Sequence, residues 1–508
     1  MAGTAGGGAA VAGGDGWRRL SGRSLWASAI KSLALVAGAT AGLVRFLTGR
    51  DWPVGGVAAV CAGAAVLIVA AVVAYDVLRL RATRWRLTPE RLELRSGITT
   101  RQHRSIPRDR VRSVDLRADP VNRVFGLTVV KVGTGEHAAD GSELALDPLD
   151  RHEAEALRRT LLRQETAEET GDGPPLAELR WSWIRYAPLS VWTFTGAAVL
   201  LGALFKALGS FGVKSFATRL ATALWEWVVA QPLLAVPLLL AVNLAVGVLG
   251  SVLLFAESWG RYRLDREPGR LRLRRGLLTT RSLTLEERRL RGVELGEPLL
   301  LRLGGAARVR TIATGLGKKP DDETEDAAAL TPPVPRALAL RIAARVSGAG
   351  LPPLVPHPPA ARRRRVVRAV VAAVVVAVAV AAWPWVPLGN WMWMVPVVVL
   401  AYGLWLAVAS AASLGHALGA RHLVTRRGAV VRRTIALDRR GIAGWTVTES
   451  FFQRRSGLLT VTATTGAGRG RYEVVDVGRG EGLELAARAV PGLLEPFLAR
   501  ERQLREKQ

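Results

Sequence analysis

Two patterns alternate along this 508-residue chain. Long blocks of Ala, Val and Leu with almost no charge give way to stretches where apolar and charged residues alternate one by one. A helix needs about 20 mostly apolar residues to cross roughly 30 Å of hydrocarbon. Three pairs of blocks reach that length: 25–47 with 54–78, 184–205 with 228–255, and 366–386 with 391–414. They predict three helical hairpins, closed by 48–53, 206–227 and 387–390. Tryptophans stand at the expected interfaces (Trp225, Trp227, Trp383, Trp385, Trp391, Trp393). In the first block Lys31 and Arg45 lie near the ends and must snorkel.

The stretches after the hairpins read as strands. Arg86-Leu87-Thr88 and Arg91-Leu92-Glu93-Leu94-Arg95 alternate around a Thr88-Pro89-Glu90 turn, and Arg270-Leu271-Arg272-Leu273-Arg274 does the same. Leu127–Val132 and Leu458–Ala463 are further strands. Each stretch closes on a helical segment: from near Asp150 through Arg159, Arg336–Val346, and Leu483–Val490, with a possible resumption after Pro491.

The three stretches superpose without a gap. Counting from Gly97, Gly276 and Gly428, nine residues on stand Ile106, Leu285 and Leu437. Further along come Val114, Val293 and Trp445, then Arg123, Arg302 and Arg454, then Gly126, Gly305 and Gly457. A Thr-Gly pair follows each time (Thr134, Thr314, Thr465). The chain is therefore a triplicated unit of hairpin and domain. Several short strands and one helix predict a small antiparallel barrel or bent sheet capped by that helix.

Charge changes the picture. The net charge is +28 although 49% of residues are hydrophobic, so apolar and basic residues must be segregated. Basic residues flank the hairpins: Arg18, Arg19 and Arg23; Arg79, Arg81, Arg84 and Arg86; and the run Arg362–Arg365. The positive-inside rule then predicts a multi-pass cell-membrane protein with both termini and all soluble domains cytoplasmic, although Lys206, Lys214 and Arg219 in the middle hairpin loop run against it. The first 16 residues, mostly Gly and Ala, read as a disordered tail rather than a signal peptide.

The first unit carries Trp85-Arg86-Leu87-Thr88, Ser105-Ile106-Pro107-x-x-Arg110-Val111, Pro120-x-x-Arg123-x-x-Gly126-Leu127 and Thr134-Gly135. In these it resembles the bacterial pleckstrin-homology domain, and in particular the YdbS/YdbT-like multi-pass membrane proteins. The second unit departs at Leu285-Glu286 and the third at Leu437-Asp438 and Gly441. The resemblance implies barrel-like domains with a C-terminal helix, and no defined activity. The expected order is a tail (1–24), hairpin 25–80, domain 84–165, linker 166–182, hairpin 183–257, domain 259–347, a Pro-rich basic linker 348–365, hairpin 366–416 and domain 420–500.

No catalytic constellation is visible: neither a Walker loop, nor a nucleophile elbow, nor metal-ligand spacing. The lone Cys61 excludes a disulfide within one chain. The reading is a non-enzyme without cofactor or metal. The candidate site is Arg101, Arg104, Arg108, Arg110 and Arg112, a basic stretch suited to anionic lipid headgroups or a protein partner, with a solvated sheet face as the simpler alternative. Arg281, Arg288, Arg289 and Arg291 repeat the charge. Asp76, Glu257 and His416 are expected at helix ends, where a charge is cheap. Expected partners are membrane lipids and a second copy or a related membrane protein of the same domain family, not nucleic acid. The function expected is a membrane scaffold or binding module, in envelope stress tolerance among other roles; a six-helix transporter is the alternative, hinted at by Pro232 and Pro237.

Overall fold

The computed structural model describes residues 16–50, 52–111, 113–133, 143–161, 175–191, 193–196, 199, 201–203, 206, 214–314, 328–382 and 391–493. Each repeat starts with a two-residue strand, runs through apolar helix, and returns to pair with that strand. In the first, β1 (Arg18–Arg19) precedes the helices Ser24–Thr48 and Val54–Ala82. Then come β2 (Arg84–Leu87), β3 (Arg91–Ser96), β4 (Gln102–Pro107), β5 (Ser113–Ala118), the short helix Pro120–Val124, β6 (Leu127–Gly133), β7 (Glu143–Asp150) and the helix Arg151–Leu161.

The second repeat begins with β8 (Ala177–Glu178), carries the helices Lys214–Ala230 and Pro232–Trp259, and continues through β9 (Arg263–Glu267), β10 (Arg270–Arg275) and β11 (Thr280–Glu286). β12 (Leu290–Pro298), the helix Leu299–Leu303, β13 (Ala306–Ala313), β14 (Val334–Pro335) and the helix Arg336–Ser347 complete it. The third runs β15 (Val355–Pro356), helices Pro359–Ala381 and Met394–Ala412, β16 (Gly415–Leu418), β17 (His422–Arg427), β18 (Val431–Asp438) and β19 (Gly444–Thr448). It ends with the helix Phe451–Arg455, β20 (Leu458–Thr464), β21 (Arg471–Gly478) and the helix Arg479–Ala489.

The chain divides into two compact units, Met1–Leu285 and Glu286–Gln508. In the first, β1-β2-β3-β4 form one antiparallel sheet. Its apolar face (Trp85, Leu92, Leu94, Ile106) meets Val114, Leu116, Val130, Val132, Leu144 and Leu146, and Ala154, Leu157 and Leu161 of the helix Arg151–Leu161 join the same core. In the second unit Leu423, Ile435 and Leu437 meet Leu459, Val461, Val474 and Val477 under Leu485 and Ala486 in the same manner. Period-two alternation buries one face of each strand, which is why these residues select this register.

The sheets do not stop at the repeats. β5 pairs with β11, giving a seven-stranded sheet β7-β6-β5-β11-β10-β9-β8. β12 pairs with β18, giving β14-β13-β12-β18-β17-β16-β15. Both junctions use one register: Leu285 faces Ser113 and Leu437 faces Gly292. A small antiparallel barrel or bent sheet per repeat was the expectation; the closing strands of one repeat in fact continue the opening strands of the next.

The glycines that register the repeats are backbone devices. Gly97, Gly276 and Gly428 have φ of 115°, 103° and 107°, and an added Cβ would stand 1.8–1.9 Å from the carbonyl oxygen of Thr100, Thr279 or Val431. Only glycine fits this turn. Gly126, Gly305 and Gly457 take φ of 64–69° after the three short helices, the left-handed position that ends a helix.

Several boundaries differ from expectation. Residues 17–20 lie in the stretch expected as tail, yet β1 pairs with β2, Leu20 is buried, and Trp17 lies under the guanidinium groups of Arg86 and Arg95. The stretch 206–227, expected as a loop, contains most of the helix Lys214–Ala230. Ile184 sits in a 3-10 turn, Trp181–Tyr186, whose Trp183 and Tyr186 are buried. The Arg362–Arg365 run is not linker: the helix Pro359–Ala381 begins before it. Lys31 does not snorkel alone, because its Nζ lies 2.7 Å from Asp119 and 3.1 Å from Asn122. Residues 134–135 and 321–326 lie outside the described residues, as does chain beyond Leu493. Among the described residues four helices are long and apolar enough to cross a membrane: Ser24–Thr48, Val54–Ala82, Pro232–Trp259 and Met394–Ala412.

Candidate functional site

The most concentrated positive charge in the second unit gathers at the start of the helix Pro359–Ala381. Asp476 is fully buried at φ 59° on β21. A buried carboxylate must be paired, and Arg364 and Arg365 both bond to it, with Gln453 Nε2 adding a third donor at 3.0 Å. The run of arginines thus docks the helix onto its own domain.

Beside this lock opens a cavity of about 520 Å³ lined by Arg365, Arg368, Ser410, Arg427, Gly428, Val431, Arg433 and Val475. Three features of the fold converge there: the polar start of an apolar helix, the glycine turn between β17 and β18, and the middle of β21. Arg427 is held by Glu473 and Arg433 lies 3.6 Å from Glu294. Burial lowers the pKa of Arg433 from its ordinary value, which marks a guanidinium short of solvent. Four guanidinium groups border this opening; those of Arg365, Arg427 and Arg433 already face Asp476, Glu473 and Glu294, and Arg368 completes the basic rim.

Next to it runs a chain of imidazoles. His357 Nδ1 lies 3.2 Å from the Asp476 carbonyl, its Nε2 lies 3.1 Å from His416 Nδ1, and His416 Nε2 lies 3.4 Å from Glu481. Burial, then the neighbouring His416, pushes the His357 pKa down to about 4, and burial lowers that of His416. His416, expected at a helix end, is a buried strand residue instead. Among the described residues no group of three or more His, Cys, Asp or Glu could hold a metal ion.

The structure splits the basic stretch of the first repeat. Arg101 and Arg104 are exposed around the start of β4. Arg108 is a clamp: its guanidinium donates to the carbonyls of Pro89 (3.0 Å) and Thr160 (2.6 Å). Arg439, at the same place in the third repeat, grips the carbonyls of Ala420, Arg488 and Ala489 in the same way. Arg110 ends the 3-10 turn Arg108–Arg110, and Arg112 lies outside the described residues. Arg288 and Arg289 both pair with Glu286 at 2.7 Å. Glu257 also has a structural partner, accepting from the backbone of Leu278 (3.0 Å) and Thr279 (2.8 Å) in the glycine turn.

The repeat arginines hold the junctions. Arg123 donates to the carbonyl of Leu277 at 2.8 Å, and Arg302 to that of Ala429 at 3.3 Å. Each acceptor is the residue after the turn glycine of the following repeat. Arg454, the third of the series, is exposed.

The model of the bacterial PH domain matches residues 33–165, 204–346 and 363–491, most of the chain. The chain belongs to the bacterial PH domain family. Each match includes residues of the preceding helices as well as the sheets that follow. The family is a binding-type, non-catalytic one. No curated protein and no solved structure gives a match. Sequence reasoning missed the cleft because its arginines are spread over residues 365–433, and only strand pairing brings them together.

Proposed function

We propose that this protein is a non-enzymatic membrane module whose bacterial PH domains bind anionic lipid headgroups. The observation that carries it is the cleft of Arg365, Arg368, Arg427 and Arg433, which Ser410 near the end of the apolar helix Met394–Ala412 also lines. Bidentate guanidinium groups suit a phosphate ester, and a site at a helix foot is where a headgroup would lie. Arg101 and Arg104, exposed on the first repeat, would add surface attraction of about 1 kcal/mol each at an anionic leaflet. In this reading all three repeats and both termini face the cytoplasm, the side with the excess of Lys and Arg.

The test uses the full chain in detergent with native mass spectrometry. The wild type is expected to retain phosphatidylglycerol over phosphatidylcholine, and Arg368→Gln with Arg433→Gln to lose that preference. Equal retention of the two lipids by the wild type, or an unchanged preference in the variant, would sink the headgroup reading.

A further inference from the structure

The two inner junctions and the two outer edges of this chain obey one rule, and the outer edges are left without the partner that the rule supplies. At each junction the fourth strand of one repeat pairs antiparallel with the fifth strand of the repeat before it: β11 with β5, and β18 with β12. The register is the same both times, since the residue nine after the turn glycine faces the residue sixteen after the preceding one (Leu285 to Ser113, Leu437 to Gly292). Among the described residues, β4 pairs with β3 on one side only and β19 with β20 on one side only.

The surface agrees with this. Arg104 and Ser105 of β4 are exposed, whereas their counterparts Leu283 and Thr284 on β11 are buried. Thr446, Val447 and Thr448 of β19 are exposed, whereas the matching stretch of β12 is buried. Beside β19, Phe451 and Phe452 are 66% and 68% exposed, a large apolar pair at an open sheet edge. An open edge with an apolar border is a template for another strand.

We propose that copies of this chain join head to tail, β4 of one copy continuing the sheet at β19 of a second. The junction rule fixes the register: Ile106 faces Gly444, Ser105 faces Trp445, Arg104 faces Thr446, His103 faces Val447 and Gln102 faces Thr448. None of these pairs sets like charges opposite each other. The rule also assigns a role to Arg454. Its counterparts Arg123 and Arg302 grip the carbonyl one residue after the next turn glycine, so Arg454 grips the carbonyl of Ile98 in the second copy. The contact is heterologous, one surface meeting a different one, so it builds closed rings or open rows. This goes beyond headgroup binding and does not depend on it.

The experiment uses the full chain with Cys61→Ser as background. His103→Cys and Val447→Cys are placed on separate, differently tagged copies, co-expressed and oxidised in the membrane. A disulfide between the two tags is expected. Ser105→Cys paired with Val447→Cys, two residues off register, is expected to give at least several-fold less. Adding Arg454→Ala to the Val447→Cys copy should cut the yield by about tenfold, the worth of one charge-assisted hydrogen bond, while the exposed position leaves each copy folded. Two results overturn the proposal: no cross-link between copies, or equal cross-linking in both registers.

Discussion

Arg365 Nη2 lies 3.1 Å from Oδ2 of Asp476, a carboxylate with no exposed surface. With Arg364 on the other oxygen, this pair fastens an apolar helix to the last strand of its repeat. Removing one partner of a buried ion pair costs about 3–5 kcal/mol, because the charge left behind stays dry. Asp476→Ala is therefore expected to lower the thermal midpoint of the purified protein steeply. An unchanged midpoint would show that the arginines find other acceptors.

The turn glycine of the third repeat gives a sharper case. Gly428→Ala places a methyl group 1.9 Å from the Val431 carbonyl at φ +107°, so β17 and β18 cannot keep their turn. Gly480→Ala, on an open helix surface with nothing within 4 Å, should be neutral or slightly stabilising. Limited proteolysis should cut the first variant rapidly and leave the second as resistant as wild type.

The imidazole pair predicts acid sensitivity. His357 has its pKa lowered from an ordinary value of 6.5 to about 4, so the folded state binds its proton less readily than the unfolded chain does. Its stabilising contribution is complete above pH 6.5 and falls between pH 6.5 and 4, by at most about 1.4 kcal/mol per pH unit for one group. His357→Gln should flatten the dependence of the unfolding midpoint over that range. An equally steep curve in the variant would place the titration elsewhere.

Arg108 and Arg101 separate structure from binding. Arg108→Ala leaves the carbonyls of Pro89 and Thr160 without their donor and is expected to cost about 1.5–3 kcal/mol of stability. Arg101→Gln with Arg104→Gln should leave the unfolding midpoint within a degree or two and weaken attachment of the solubilised protein to anionic vesicles. Attachment equal to wild type would remove this surface from the headgroup reading.

Much of the fold was legible because it follows from periodicity. β2, β3, β6, β10 and β20 fall where apolar and polar residues alternate, and the three capping helices lie where a 3.6-residue pattern resumes. The gap-free superposition was legible because Gly97, Gly276 and Gly428 meet a steric demand that no other residue satisfies. What stayed hidden was non-local. β1, β8 and β15 have two residues each, too few to show any period. Asp476 looks like any strand-end acid until Arg364 and Arg365 are brought to it. Arg108 reads as one more basic residue in a run, since the sequence does not show that its guanidinium ends on two carbonyls.

The strands that precede the hairpins carry a constraint on how the protein is made. Arg18 and Arg19 pair with Trp85 and Arg84, and Val355 and Pro356 with His416 and Gly415, on the far side of the apolar helices in each case. The first strand therefore leaves the ribosome long before its partner exists, and waits while the greasy segment between them is delivered. A ladder stitched across both ends can close only if the segment comes back to the face it left. If these helices enter a bilayer, an excursion that failed to return would leave the sheet unsewn.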